Sequence, residues 1–401
     1  MIFFDKRFPL SIYTMDSLTM DSLKLDSLKL DSLKPAKVIL FVFIIMISLF
    51  ILYRIWSKQT TPIQSTIAEP AVEGFGEPED PKTEVKVARS KYEKMPLSIK
   101  GGIPKKYLDL PIREFIVKSS YNSAISGLYA STDAVKLVLE RGCRFIDFEI
   151  FSRNDVEYVS YSGDPEYKTM GTENVSKNRL KLADALNTAA GSAFSSPTPS
   201  TNDPLFILLR IKDNTAPIYK RIAKNINIAF SQRLFQGTFN SGTPLRDLKG
   251  RVVIFLDTLS APKWNEYDKC DSKPNQCLDK VVHLEAGTTN FPLYAYADLL
   301  TLPKVIVNRN TKNLKTDIDS FMIVEPPQFD AIKPPKPADA LNDWHPQFLV
   351  YKFYNPDSAE LTEYEALFNK YGCAFVPMSV YIADANLINS NNIEAKNTND
   401  K

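Results

Sequence analysis

Gly142-Cys143-Arg144-Phe145-Ile146-Asp147-Phe148-Glu149-Ile150-Phe151 is the stretch that decides how this chain folds. Its apolar residues follow one another as they do in a buried strand, yet it carries two carboxylates, Asp147 and Glu149, two positions apart. Side chains alternate across a strand, so both acids project from the same face. Like charges at that spacing repel and lose hydration unless a cation, a hydrogen-bond network or a shared proton relieves them. A divalent metal or a basic side chain is the usual relief. The plainer alternative is a strand end at which both acids are wet and paired with surface Lys or Arg.

Outward from this strand, short apolar runs alternate with segments of helical spacing. Strands are expected at 115–118, 145–151, 156–161, 205–211 and 251–256, with helices at 132–140, 180–190 and 216–230 between them. Further strands are expected at 304–307, 320–324, 348–353 and 374–377, with a helix at 363–371. This rhythm predicts parallel strands joined by helical crossovers. A count of roughly eight strands favours a closed α/β barrel, the (β/α)8 TIM barrel, over an open doubly wound sheet.

Residues 38–56 are predominantly apolar with one charge, Arg54 near the end, and 19 residues at about 1.5 Å each span roughly the hydrocarbon core of a bilayer. They predict a transmembrane helix that is retained as a signal anchor, since no small-residue cleavage pattern follows it. Lys24, Lys29, Lys34 and Lys37 precede it, against Arg54 and Lys58 at its far end. The positive-inside bias then places the N-terminus in the cytosol and the barrel on the lumenal or exterior side of a single-pass membrane protein. Residues 1–37 form a cytosolic tail with the pentad repeat Met15-Asp-Ser-Leu-Thr, Met20-Asp-Ser-Leu-Lys, Leu25-Asp-Ser-Leu-Lys and Leu30-Asp-Ser-Leu-Lys, whose gaps of three and two fit neither a helical nor a strand face. Residues 57–107, rich in Pro, Glu and Lys, read as an extended stalk. The barrel is expected from 108 to 382, as half-barrels 108–257 and 304–382 with a variable linker 258–303, and 383–401 is a polar tail.

The 49 basic and 47 acidic residues nearly cancel, so there is no charge footprint for nucleic acid. Only His283 and His345 supply imidazole, which restricts acid–base chemistry near neutral pH. Both have ordinary structural explanations. Cys143 and Cys373 lie in apolar runs and read as buried thiols, whereas Cys270 and Cys277 bracket a polar loop and would form a short disulfide in an oxidising compartment. Asn174-Val175-Ser176 is a glycosylation sequon, usable on a lumenal face.

Ser119-Ser120-Tyr121-Asn122-Ser123, then Gly142-Cys143-Arg144 with its two acids, then Tyr161-Ser162-Gly163 and Pro204 to Lys212 come in an order that resembles the phosphoinositide-specific phospholipase C barrel. That family shows Ser-His-Asn-Thr, Gly-Cys-Arg-x-x-Glu-x-Asp, Tyr-His-Gly and Pro-Val-Ile-Leu-Ser-Leu-Glu. Leu248-Lys249-Gly250-Arg251-Val252-Val253, Gln347 to Tyr354 and Gly372-Cys373-Ala374-Phe375-Val376 continue the resemblance. It implies a phospholipase C-like barrel over most of 108–382.

The departures from the family carry the functional expectation. Its two catalytic histidines fall on Tyr121 and Ser162, and neither residue moves protons readily at neutral pH; each lost proton transfer costs roughly 10²- to 10⁴-fold. The fourth family carboxylate is assigned to Lys212, and the phosphate-holding lysines fall on Phe255 and Asp257. The metal-ligand positions Asn122, Asp147 and Glu149 persist. They would hold Ca2+ only weakly, with waters or Asp213; alternatively the Lys212 ammonium lies between the two acids and takes the metal's place, which is the preferred account, so that no cofactor is implied. The resulting expectation is a membrane-anchored, catalytically impaired barrel that binds a phospholipid head group or a protein. The alternative is a divergent phosphoric diester hydrolase using Asp147, Glu149 and Lys212.

Overall fold

The computed structural model of the protein describes residues 80–97, 99, 101–161, 176–213, 215–267, 276–308, 314–326 and 333–387, together with Ile47. The chain divides into two units, Met1–Phe75 and Gly76–Lys401. The pentad tail, Ser162, Asn174, Cys270 and all of 38–56 except Ile47 lie outside the described residues. Among the described residues no helix is long and apolar enough to cross a membrane, and the expectation of a single-pass membrane protein is withdrawn on that finding.

Strands form where branched, aromatic and leucine side chains follow one another: β1 (Phe115–Ser120), β2 (Phe145–Arg153), β3 (Val156–Val159), β4 (Leu180–Lys181), β5 (Leu205–Ile211), β6 (Val252–Asp257), β7 (Leu284–Ala286), β8 (Leu293–Ala295), β9 (Ile323–Glu325), β10 (Phe348–Tyr351) and β11 (Phe375–Pro377). Eight of them pair in parallel in the order β7, β6, β5, β2, β1, β10, β9, β8. The result is a nearly closed α/β barrel whose seam lies between β7 and β8. Off this path, β11 pairs antiparallel with the first half of β1, and β2 runs on past the barrel into an antiparallel ribbon with β3 and β4.

Alternation along the strands makes two cores. Phe145, Phe206, Leu208, Val253, Phe255, Ile323, Phe348 and Val350 pack inside the barrel, with the Phe145 and Phe348 rings 4.6 Å apart. Ile146, Phe148, Ile207, Leu209, Ile254, Leu256 and Leu349 face the helices instead. Phe255, matched above to a phosphate-holding lysine, is thus part of the apolar barrel filling.

The longer helices include α1 (Pro81–Glu93), α2 (Thr132–Glu140), α3 (Leu182–Ala193), α4 (Ala216–Phe230) and α5 (Ala359–Tyr371). α2 begins at Ser131, whose hydroxyl accepts from the Asp133 amide. It ends before Gly142, which has φ +85° and leaves no room for a Cβ, since one would sit 2.8 Å from Ile99 Cδ1. Glycine there frees the chain to turn directly into β2.

Two expectations about boundaries need correction. Part of the stalk, 81–93, is helical and buries Val85, Ala88 and Tyr92 in the outer core; Asp80 caps it by accepting from the Lys82 and Thr83 amides, with Pro81 in the first turn. The linker 258–303 contains two barrel strands, β7 and β8, while 304–307 is not a strand. At three residues each, β7 and β8 are too short to show a period.

Candidate active site

In a parallel barrel all strand ends of one sense meet at one rim, and side chains there converge. β1 ends into Tyr121 and Asn122, β2 contributes Asp147 and Glu149, β5 contributes Arg210, β6 ends in Asp257 and β9 ends in Glu325. All seven are buried.

The centre of this group is the Arg210 guanidinium. Register places Arg210 directly opposite Glu149 across β2 and β5. Its Nε donates to Asp147 Oδ2 at 3.1 Å, and its Nη2 donates to Asn122 Oδ1 at 2.6 Å and to Asp147 Oδ1 at 3.3 Å. Its Nη1 donates to the Tyr121 hydroxyl at 3.3 Å and lies 3.4 Å from Glu149 Oε2. Four hydrogen bonds and the ion pair with Glu149 thereby commit the planar fork to protein oxygens. The guanidinium carbon also sits 4.5 Å from the centre of the Tyr121 ring.

Asn122 is held for this purpose. It takes a left-handed conformation at φ 44°, which asparagine tolerates better than most residues, and its amide donates to Asp147 Oδ1 at 2.5 Å. The Ser123 hydroxyl accepts from the Asp147 amide, and the Ser123 amide donates to the Asp147 carbonyl. The start of the loop after β1 is thus laced to β2 at the acid itself.

Burial is the largest influence on the titration of these groups. It raises Asp147 to about 6, with Glu149 pushing the same way and the Arg210 fork and the Asn122 amide opposing. It raises Glu325 to about 8 against the pull of Arg210, with Asp147 and Asp257 adding to the rise. Glu325 Oε2 has no hydrogen-bond partner and stands 4.0 Å from Arg210 Nε. Tyr121 is pushed well above the ordinary tyrosine range by burial, so its hydroxyl keeps its proton. Arg210 stays cationic, because the surrounding acids outweigh the cost of its burial.

The sequence expectations fare unequally at this rim. Tyr121, Asn122, Asp147 and Glu149 come together. The cation in contact with both acids is Arg210, while Lys212 is attracted by Glu149. Lys212 follows the end of β5, is half-buried, and feels burial lowering its ammonium against the attraction of Glu149 and Asp257. The physical reason is register: Lys212 lies two residues, roughly 6.6 Å, beyond the point on β5 that faces Glu149. Arg210 and Glu325 were missed in the sequence, although Pro-Val-Ile-Leu-Ser-Leu-Glu laid without a gap from Pro204 ends on Arg210. Asp257 Oδ1 turns back to accept from the Leu259 amide.

Both histidines lie away from this rim. His283 precedes β7 and His345 precedes β10, at the opposite ends of those strands. His283 Nδ1 accepts from the Ile254 amide and Nε2 donates to the Phe235 carbonyl, which fixes a neutral ring between β6 and β7. The Arg144 of Gly-Cys-Arg is also architectural, donating to the carbonyls of Ala193, Pro199 and Ser200. Cys143 and Cys373 are buried thiols. Cys277 is buried, and its expected pairing with Cys270 lies outside the described residues, as do Ser162 and the Asn174 sequon.

The oxygens that a resident Ca2+ would need, those of Asn122, Asp147 and Glu149, all face the guanidinium. The donor set does not fit the ion while Arg210 is present. Among the described residues no three Asp, Glu, His or Cys side chains form a group able to hold a metal.

No family model matches the sequence, and no curated protein matches it. Solved structures similar to the chain include phospholipases C. L. pealei PLC21 is 14% identical with a TM-score of 0.47 over 67% of this chain, and the chain spans only 37% of that protein's length. The phosphatidylinositol-specific phospholipase C from Listeria monocytogenes is 14% identical with a TM-score of 0.39, covering 68% of this chain and 99% of that one. A calcium-dependent phosphoinositol-specific phospholipase C from Pseudomonas sp. is 14% identical with a TM-score of 0.34, covering 47% of this chain and 70% of that one.

Proposed function

We propose that this chain is a phospholipase C-like barrel in which phosphodiester hydrolysis is impaired, and whose retained role is to bind a ligand. One observation carries the proposal. The Arg210 guanidinium fills the place between Asn122, Asp147 and Glu149 where a substrate-activating cation would sit, and spends its donors on protein oxygens. A phosphoryl oxygen seeking stabilisation there meets a guanidinium already committed to protein oxygens, and neither histidine of the chain is at the rim to transfer a proton. The Tyr121 hydroxyl, raised by burial, does not replace one.

A second possibility, a divergent hydrolase, draws support from one other observation. Burial raises Glu325 to about 8, so it holds its proton at neutral pH as a general acid must, and its Oε2 has no hydrogen-bond partner. The two are separated by incubating the full chain with phosphatidylinositol or glycerophosphoinositol, in Ca2+ and in EDTA, and following release of inositol phosphates. No release above the protein-free rate in either medium is the expected result. Release that vanishes in a folded Glu325→Gln variant would overturn the proposal and install the second mechanism.

A further inference from the structure

α1 has a narrow apolar face. Of its 13 residues only Val85, Ala88 and Tyr92 bury apolar side chains, which is a slender hold against the entropy of ordering the helix. Its other attachments are polar. The Arg89–Glu140 and Lys91–Asp357 ion pairs are partly exposed, and such pairs contribute little. Two polar attachments are buried: the Glu84 carboxylate in the first turn, 8% exposed, and the Tyr92 hydroxyl near the other end.

The Glu84 carboxylate sits in a cup of donors made by one tight turn after β1. Its Oε1 accepts from the Leu128 amide at 2.7 Å, and its Oε2 accepts from the Tyr129 amide at 3.2 Å and from the Ser126 hydroxyl. Gly127, at φ +142°, shapes the cup, since a Cβ there would stand 2.7 Å from Glu84 Oε1. The turn is closed without help from α1: the Ser126 amide donates to the Tyr129 carbonyl, Ile125 bridges Ala130, and the Asn178 side chain holds Ala130 at both its amide and its carbonyl. Successive amides that converge on one carboxylate from such a turn make an anion receptor. We propose that this turn is a receptor for a carboxylate, that Glu84 is its built-in ligand, and that α1 is thereby a strap tying two connections of the rim together.

The second connection is the one after β10. The Tyr92 hydroxyl donates to the Phe353 carbonyl at 2.6 Å, and the two rings stack with their centres 6.4 Å apart. β1 and β10 are neighbours in the barrel. The segments that follow them meet where Tyr354 packs on Ile125, Ala130 and Tyr161. Both lead straight to the site: the Ile125 amide donates to the Asn122 carbonyl, and the Tyr121 amide donates to the Tyr351 carbonyl at the end of β10. Glu84 and Tyr92, at opposite ends of one helix, therefore hold together the two segments that adjoin Tyr121 and Asn122, and the strap stands whether or not the barrel hydrolyses anything.

The test is rescue of the full chain by a free carboxylate. Glu84→Ala removes a fragment with the size and charge of acetate, and should lower the melting temperature by roughly 3–5 °C in chloride. Exchanging chloride for acetate at constant ionic strength should recover about half of that loss, saturably. It should do nothing comparable for the parent, for Glu84→Gln, whose side chain still fills the cup, or for Arg89→Ala, which loses a different attachment of α1. Hydrogen exchange at 126–130 and at 352–357 should rise together in Glu84→Ala and fall together in acetate. If Glu84→Ala folds poorly in chloride, refolding yield with and without acetate makes the same comparison. No recovery in acetate, or equal recovery in Arg89→Ala, overturns the receptor; exchange that changes at 126–130 but not at 352–357 overturns the strap.

Discussion

Arg210→Ala is the substitution with the most to say about this protein. It removes the guanidinium at the centre of the rim and leaves Asp147 and Glu149, 0% and 1% exposed, without the arginine they face. Removing one partner of a buried ion pair costs about 3–5 kcal/mol, because the remaining charge is stranded, and Asn122 Oδ1 loses its donor for about 1 kcal/mol more. Protonation of a carboxylate returns part of this, so a net loss of about 4 kcal/mol is expected at pH 8. For a domain of this size that lowers the melting temperature by about 6 °C. The sign with pH follows from linkage. Without Arg210 the folded-state pKa of Asp147 rises further above the unfolded value, the native state binds more protons than the unfolded chain, and the variant recovers stability as pH falls from 8 towards 5. The measurement is thermal and urea unfolding of the full chain and of Arg210→Ala across that range, with Arg210→Ala/Asp147→Asn as the coupled control. The double variant should melt above the single one at pH 8. A single variant that melts within about 2 °C of the parent at pH 8, or whose deficit grows towards acid, would refute the assignment of Arg210 as the counter-charge of the acid pair.

Glu325 gives the parent protein its own pH dependence. Its folded pKa of about 8 lies above the unfolded carboxyl value of about 4.3, so the proton it holds contributes stability that is whole below that lower value and lost as pH rises towards 8; Glu325→Gln should flatten the fall in melting temperature over that window. In the connection that follows β1, Glu84 of α1 accepts from the Leu128 and Tyr129 amides and the Ser126 hydroxyl, so Glu84→Ala should cost about 2–3 kcal/mol in urea unfolding and raise hydrogen exchange at 126–130, where a purely extended stalk would register no change.

How far the sequence revealed these features depends on how strongly each one departs from its surroundings. The strand at 145–153 announced itself because two acids interrupt an apolar run, and a buried charge requires a partner wherever the chain goes. Arg210 carries the same signal in reverse, a lone cation inside Leu-Phe-Ile-Leu-Leu-Arg-Ile, and pairing the two interruptions by charge would have found it ahead of Lys212. The barrel itself was legible in the alternation of long strands and helices, while β7 and β8, three residues each, are set by their neighbours in the sheet and leave no local trace. α1 was hidden by the prolines around it, although Asp80-Pro81 is a helix-starting pair and Val85, Ala88 and Tyr92 share one face. Glu325 was passed over because a single acid at the end of a three-residue strand looks like a solvated terminus until the barrel brings it to the arginine.

The same geometry explains why loss of catalysis and retention of fold go together in the proposed function. Asp147, Glu149, Asp257 and Glu325 bring four carboxyls to the rim against the two cations Arg210 and Lys212. Four ionised acids at that spacing would leave an uncompensated negative charge in a low-dielectric interior. A mobile metal could correct this only while bound, whereas an arginine supplied by β5 does so permanently and fixes Asn122, Asp147 and Tyr121 in the same step. A proton retained on Glu325 reduces the remaining excess. The price of that permanence is chemical, since donors committed to protein oxygens are withheld from a transition state. What the rim gains in stability it therefore gives up in catalysis.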